Sequence, residues 1–114
     1  MANSHDILAA QIDEFDKTIA TAGDDILTSD LVTKRPGALR LHVALSVADT
    51  LKLVEKKSGV TKTLLLNGGT VLGADVLHTL TLTVLPNRAY NFTVGIDGTK
   101  VQTMVGDLIL GGVL

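Results

Sequence analysis

Cysteine is absent from this chain of 114 residues. Disulfides, thiolate nucleophiles and cysteine-ligated metals are excluded together, and the compartment is left open. Tryptophan is absent too, and Phe15, Tyr90 and Phe92 are all the aromatics there are, 3% of the chain. Leucine and valine must therefore build any core. Lysine and arginine number 10 against 12 acidic residues, a net charge of -2. Pairs such as Lys34-Arg35 and Lys56-Lys57 are ordinary loop charges, not the clustered basic surface that nucleic acid demands. No apolar run approaches the roughly 18 to 20 residues of a membrane-spanning helix. The start, Met1 to Asp6, has no basic region leading into an apolar one, so no secretion signal is expected.

What remains is strongly apolar. Hydrophobic residues make up 46% of the sequence and the mean hydropathy is +0.37. One domain with a substantial core fits this length, but few polar residues are left to cover its surface. A buried subunit interface would resolve that shortage.

The strongest pattern is a heptad. Leu8, Ile12, Phe15, Ile19, Ala22 and Ile26 follow one another at alternating spacings of four and three. Such a repeat lies along one stripe of an α-helix, and a lone helix cannot bury it. Asn3 or Ser4 can cap that helix, Asp6 suits its first turn, and Gly23 suits its end. The spacing predicts an amphipathic helix from residue 5 to about 21 within an N-terminal segment, residues 1–27. Its stripe is a candidate oligomer interface; the alternative is packing against its own domain.

Residues 28–38 read as a linker broken by Pro36-Gly37, and residues 39–114 as a β domain. Leu39, Leu41, Val43 and Leu45 alternate with Arg40, His42, Ala44 and Ser46. Leu80, Leu82 and Val84 alternate with Thr79, Thr81 and Thr83. Further strands fall at 50–55, 60–66, 90–96, 99–105 and 107–113. Ser58-Gly59, Asn67-Gly68-Gly69, Pro86-Asn87 and Asp97-Gly98 punctuate them. Short strands every 8 to 12 residues or so predict an antiparallel sandwich or barrel.

Catalytic signatures are missing. His5, His42 and His78 have no metal-ligand spacing, and His42 and His78 are read as lying on the polar phase of their strands. Asp24 and Asp25 are adjacent and point apart, while Asp30, Asp75 and Asp107 suit loops and strand ends. No nucleophile elbow or phosphate loop occurs, so the glycines are read as turn and bulge residues. No enzyme activity, cofactor or metal is expected. The ladder Thr79, Thr81, Thr83 forms a polar β face of the kind that binds sugars, but without exposed aromatics to stack on a ring.

Four stretches carry a resemblance: Asp49-Thr50-Leu51-Lys52-Leu53, Leu66-Asn67-Gly68-Gly69-Thr70, Leu77 to Val84, and Arg88 to Val94. In strand spacing, turn residues and threonine-rich alternation, this chain resembles the small β-sandwich virion proteins of tailed phages, the decoration and minor capsid class. The resemblance implies a mainly β, jelly-roll-like antiparallel sandwich, here with a short N-terminal helix. It also implies a homo-oligomer, commonly a trimer, that stabilises a capsid by binding other virion proteins, without nucleic acid or membrane. An oligomeric module binding carbohydrate or a host surface is the alternative.

Overall fold

A computed structural model describes residues 12–110. Eight strands run in the order β1 (Ile12–Ile19), β2 (Leu31–Val32), β3 (Gly37–Leu45), β4 (Leu51–Lys57), β5 (Val60–Leu65), β6 (His78–Val84), β7 (Ala89–Val94) and β8 (Thr99–Leu110). They form two four-stranded sheets, β1-β8-β3-β6 and β2-β7-β4-β5. Every strand pairing is antiparallel, and the pairings are nested: β1 with β8, β2 with β7, β3 with β6, β4 with β5. The contacts β3·β8 and β4·β7 then stitch these pairs into sheets.

Alternation places one face of each sheet in a shared core. On β3, Leu39, Leu41, Val43 and Leu45 are all fully buried. Val101, Met104 and Leu108 of β8 join them in the same sheet, and Tyr90, Phe92 and Val94 of β7 with Leu51 and Leu53 of β4 supply the facing side of the other sheet. Ser58 and Gly59 connect β4 to β5 at φ of 50° and 80°. Two consecutive positive φ values match the strand twist of a two-residue hairpin, which explains a glycine there. Among the described residues no helix is long and apolar enough to cross a membrane.

The expected N-terminal helix is corrected from Ile12 onward, where Ile12–Ile19 is the edge strand β1, registered against β8 over seven residue pairs. Leu8, with the rest of 1–11, lies outside the described residues. The misreading has a geometric cause. Residues seven apart on a regular strand face opposite ways, yet Ile12 and Ile19 are 2% and 3% exposed and share the core. Asp16, at φ 51°, is the irregular residue between them. Strand β8 shows the same change of phase: Thr99 and Val101 face inward, then Met104, Gly106 and Leu108. Beside it β3 stays regular, so Ala44 lies opposite Thr103 while Leu45 lies opposite Val101. Each of β1 and β8 carries one extra residue, and the two remain in register with each other. A seven-residue spacing is thus the mark of a helical stripe or of a strand face with one bulge. The strand wins because a two-heptad helix is marginal alone. Burying the two isoleucines stabilises the sandwich by about 1.5–3 kcal/mol each.

The rest of the predicted stripe scatters. Phe15 is 76% exposed on the outer face of β1, Ala22 is half-buried, and Ile26 is wholly buried. Gly23 and Ile26 donate backbone hydrogen bonds to Val94 and Phe92, so residues 23–32, including β2, follow the edge of β7.

Candidate functional site

Two buried polar clusters have structural work. Asp49, 2% exposed, accepts hydrogen bonds from the backbone of Thr50 (2.7 Å), Gly95 (3.1 Å) and Ile96 (3.1 Å) and from the Thr99 hydroxyl (2.9 Å). It thereby ties the β3–β4 connection to the β7–β8 turn. Asn91, 1% exposed, fills the gap where residues 27–30 bow away from β7. Its Oδ1 accepts from the Leu27 amide at 2.9 Å, and its Nδ2 donates to the Leu27 carbonyl at 3.1 Å and to Asp30 at 2.7 Å. Lys56 closes the cluster on Asp25 and Asp30 at 3.2 and 3.3 Å. The Asn91 amide first, then Lys56, holds the Asp30 carboxyl below its ordinary value. Among the described residues no buried side-chain nitrogen or oxygen lacks a partner.

A cleft of about 290 Å³ opens beside the tip of the β4–β5 hairpin, lined by Glu55, Lys57, Ser58, Val60, Lys62 and Arg88. Strand register explains the grouping, because Glu55 faces Lys62 and Lys57 faces Val60 across the hairpin. Glu55 is already engaged: Arg88 donates to its Oε2 at 3.0 Å and the Tyr90 hydroxyl donates at 3.0 Å. The Arg88 hydrogen bond is the main cause, with Tyr90 second, of a Glu55 carboxyl below its ordinary value. Burial, aided by donation to Glu55, pushes the Tyr90 phenol up. Among the described residues Lys57 and Lys62 have no salt-bridge partner, so the cleft is cationic. A broader trough between β1 and residues 27–32 is lined by Asp13, Glu14 and Asp30, of which Glu14 is paired with Lys17 at 3.6 Å and Asp30 with Lys56.

The third feature is an edge. Among the described residues β6 pairs with β3 alone, and Thr79, Thr81 and Thr83 stand exposed beside His42, Arg40 and Ala38. Leu80 and Leu82 alternate with them and rest half-buried against the core. The threonine face predicted from the sequence is therefore real and borders a sheet edge.

The histidines do not converge. His42 is on the outer face, where its Nδ1 meets the Thr79 hydroxyl at 2.9 Å. His78 shares the phase of Leu80 and Leu82, opposite Val43, and its Nε2 lies 3.2 Å from the Gly73 carbonyl. Placing His78 on the polar phase is thus corrected; at the strand's start the inner phase has reached the rim of the core. Among the described residues no three His, Asp or Glu side chains cluster as metal ligands would. Of the six stripe residues, Ile12, Ile19 and Ile26 meet in the chain's own core, while Phe15 lies outside it. Sequence reasoning missed Asp49, Asn91 and the Glu55–Arg88 pair, whose partners lie about 30 to 60 residues away. Comparison with protein-family models, with curated proteins and with solved structures finds no match.

Proposed function

We propose that this protein is a non-enzymatic structural subunit of a virion, a self-associating jelly roll that binds and stabilises a capsid surface. The nested pairing of strands carries this reading. Four pairs, first with last and innermost with innermost, amount to one long antiparallel hairpin rolled over on itself. Rolling produces the two orders β1-β8-β3-β6 and β2-β7-β4-β5. Eight strands in this arrangement are the expectation for a jelly roll, an architecture of viral capsid and lectin domains. Fold alone leaves function open. The surface adds support, because Phe15, Val32, Val60, Leu65, Val76 and Leu77 each stand at least half exposed. The trimer is what the resemblance implies, and the helical stripe was the candidate interface for it. With Ile12, Ile19 and Ile26 inside their own chain, association falls to other surfaces such as the strand edges. The test is cosedimentation of the purified protein with capsid shells that lack it. Saturable binding with a fixed number of copies per shell is the expected result, and no binding to any icosahedral shell overturns the proposal.

A second reading, a module binding carbohydrate or a host surface, is favoured by the cationic cleft. Lys57 and Lys62 would meet the carboxylate of an acidic monosaccharide while Val60 packs on its ring. Titration with glucuronate, followed by amide chemical shifts, tests this. Saturable shifts at Ser58, Lys62 and Arg88 that vanish in Lys62→Glu support it, and unchanged spectra at millimolar sugar sink it.

A further inference from the structure

Among the described residues the four sheet edges are not alike. Unpaired edge strands invite pairing with another chain, and proteins blunt them with charge, shortness or irregularity. Strand β1 carries Asp13, Glu14, Asp16 and Lys17 and the left-handed Asp16; β2 is two residues long; β5 has Lys62 at its middle. Strand β6 has none of these devices. His78-Thr79-Leu80-Thr81-Leu82-Thr83-Val84 contains no Lys, Arg, Asp, Glu, Pro or Gly, and it keeps unbroken register with β3 over all seven residues.

We propose that β6 is a homotypic association edge, pairing antiparallel with β6 of a second copy of this chain about a two-fold axis through Thr81. This rests on the reading of the protein as a self-associating subunit and names the surface it uses. A second copy fits because the pattern is its own complement. Centred on Thr81, the pairing sets Leu80 beside Leu82 of the partner subunit and Thr79 beside Thr83 of the partner subunit. The exposed face becomes a continuous threonine ladder, and the half-buried leucines meet across the seam as an extension of both cores. A register shifted by one residue would set leucine against threonine on both faces, so the in-phase arrangement is selected. No like charges oppose one another along the edge. The Arg40 guanidinium beside Thr81 is turned to Asp107 on the far side, at 3.9 Å. The result is one eight-stranded sheet running through an isologous dimer. A seven-residue strand gives a contact about 24 Å long, a weak interface of the kind that a lattice multiplies.

The test uses the full chain and a charge swap at the axis. Thr81 is exposed, so Thr81→Lys and Thr81→Glu leave the core intact, which circular dichroism melts verify. Sedimentation equilibrium should give wild type a mass approaching twice the 12.0 kDa chain. Each variant alone should dissociate at least about tenfold more readily, because like charges face each other at the axis. An equimolar mixture of the two variants should associate at least as tightly as wild type, since Lys then opposes Glu. Wild type that associates while neither variant weakens it overturns the β6 pairing and leaves the virion reading on other surfaces. A mass near three times 12.0 kDa does the same and returns the trimer. A wild type that stays monomeric at millimolar concentration, its edge covered by the chain's own remaining residues or left bare, overturns the pairing as well. Capsid cosedimentation then decides the broader reading separately.

Discussion

Replacing Asp49 with alanine should be among the most damaging single changes in this protein. The carboxylate is 2% exposed, so water cannot readily substitute for it. Its removal strands four donors, the amides of Thr50, Gly95 and Ile96 and the hydroxyl of Thr99. The hydroxyl can redirect to the Ile96 carbonyl, which already lies 2.9 Å away. Three amides then remain, each costing about 1–3 kcal/mol when buried without a partner. Both connections can relax toward solvent, which places the net loss at about 3–5 kcal/mol, a large part of the roughly 5–15 kcal/mol a domain commands. Asp49→Asn should cost only about 1–2 kcal/mol, since one oxygen still accepts and the new amide can donate to the Thr99 oxygen. Urea unfolding followed by circular dichroism measures both, with unchanged m-values expected. An Asp49→Ala loss below about 1 kcal/mol would refute the reasoning, as would an Asn variant no better than the Ala one.

Acid should weaken the fold through Glu55 and Asp30, whose carboxyls are held low in the folded state by Arg88 and by Asn91 respectively. On acidification the unfolded chain therefore takes up protons first, at the ordinary values of 4.5 and 3.8, so stability is full above that range and falls as pH drops through the folded-state values. Urea midpoints between pH 7 and 3 should show this decline, and Glu55→Gln should flatten it. Gly106→Ala should destabilise by about 1–3 kcal/mol, because a Cβ there would lie 3.1 Å from Ile12 and Leu39 side-chain carbons; a thermal melt equal to wild type would count against the packing of β1 on β8. Asn91→Ala should cost about 2–3 kcal/mol and release residues 27–30 from β7, seen as faster amide exchange at Leu27 with little change at Val101.

Much of the sandwich was legible because each strand writes its own face locally. The Leu39–Leu45 and Thr79–Val84 alternations appear as β3 and β6, and Ser58-Gly59 appears as the left-handed hairpin turn its residues favour. The polar clusters were not legible. Asp49 and Asn91 look like ordinary loop and strand residues in the sequence. Their partners include backbone amides up to 64 positions away, a proximity that only strand pairing creates. The same holds for the Glu55–Arg88 pair, which register and the β6–β7 turn bring to one cleft.

By itself, then, the sequence determined that this chain is built of strands with leucine and valine inside, and where most of those strands begin and turn. It also determined that the edge strand β6 carries neither charge nor proline. Tertiary structure alone decided the state of Ile12–Ile19. There a four-three spacing satisfies a helix as well as a bulged strand, and local propensity separates the two by little. The long neighbour β8 settles the matter by offering hydrogen bonds to one edge of the segment and a matching extra residue of its own. With that partner in place, Ile12 and Ile19 reach the core from the same strand.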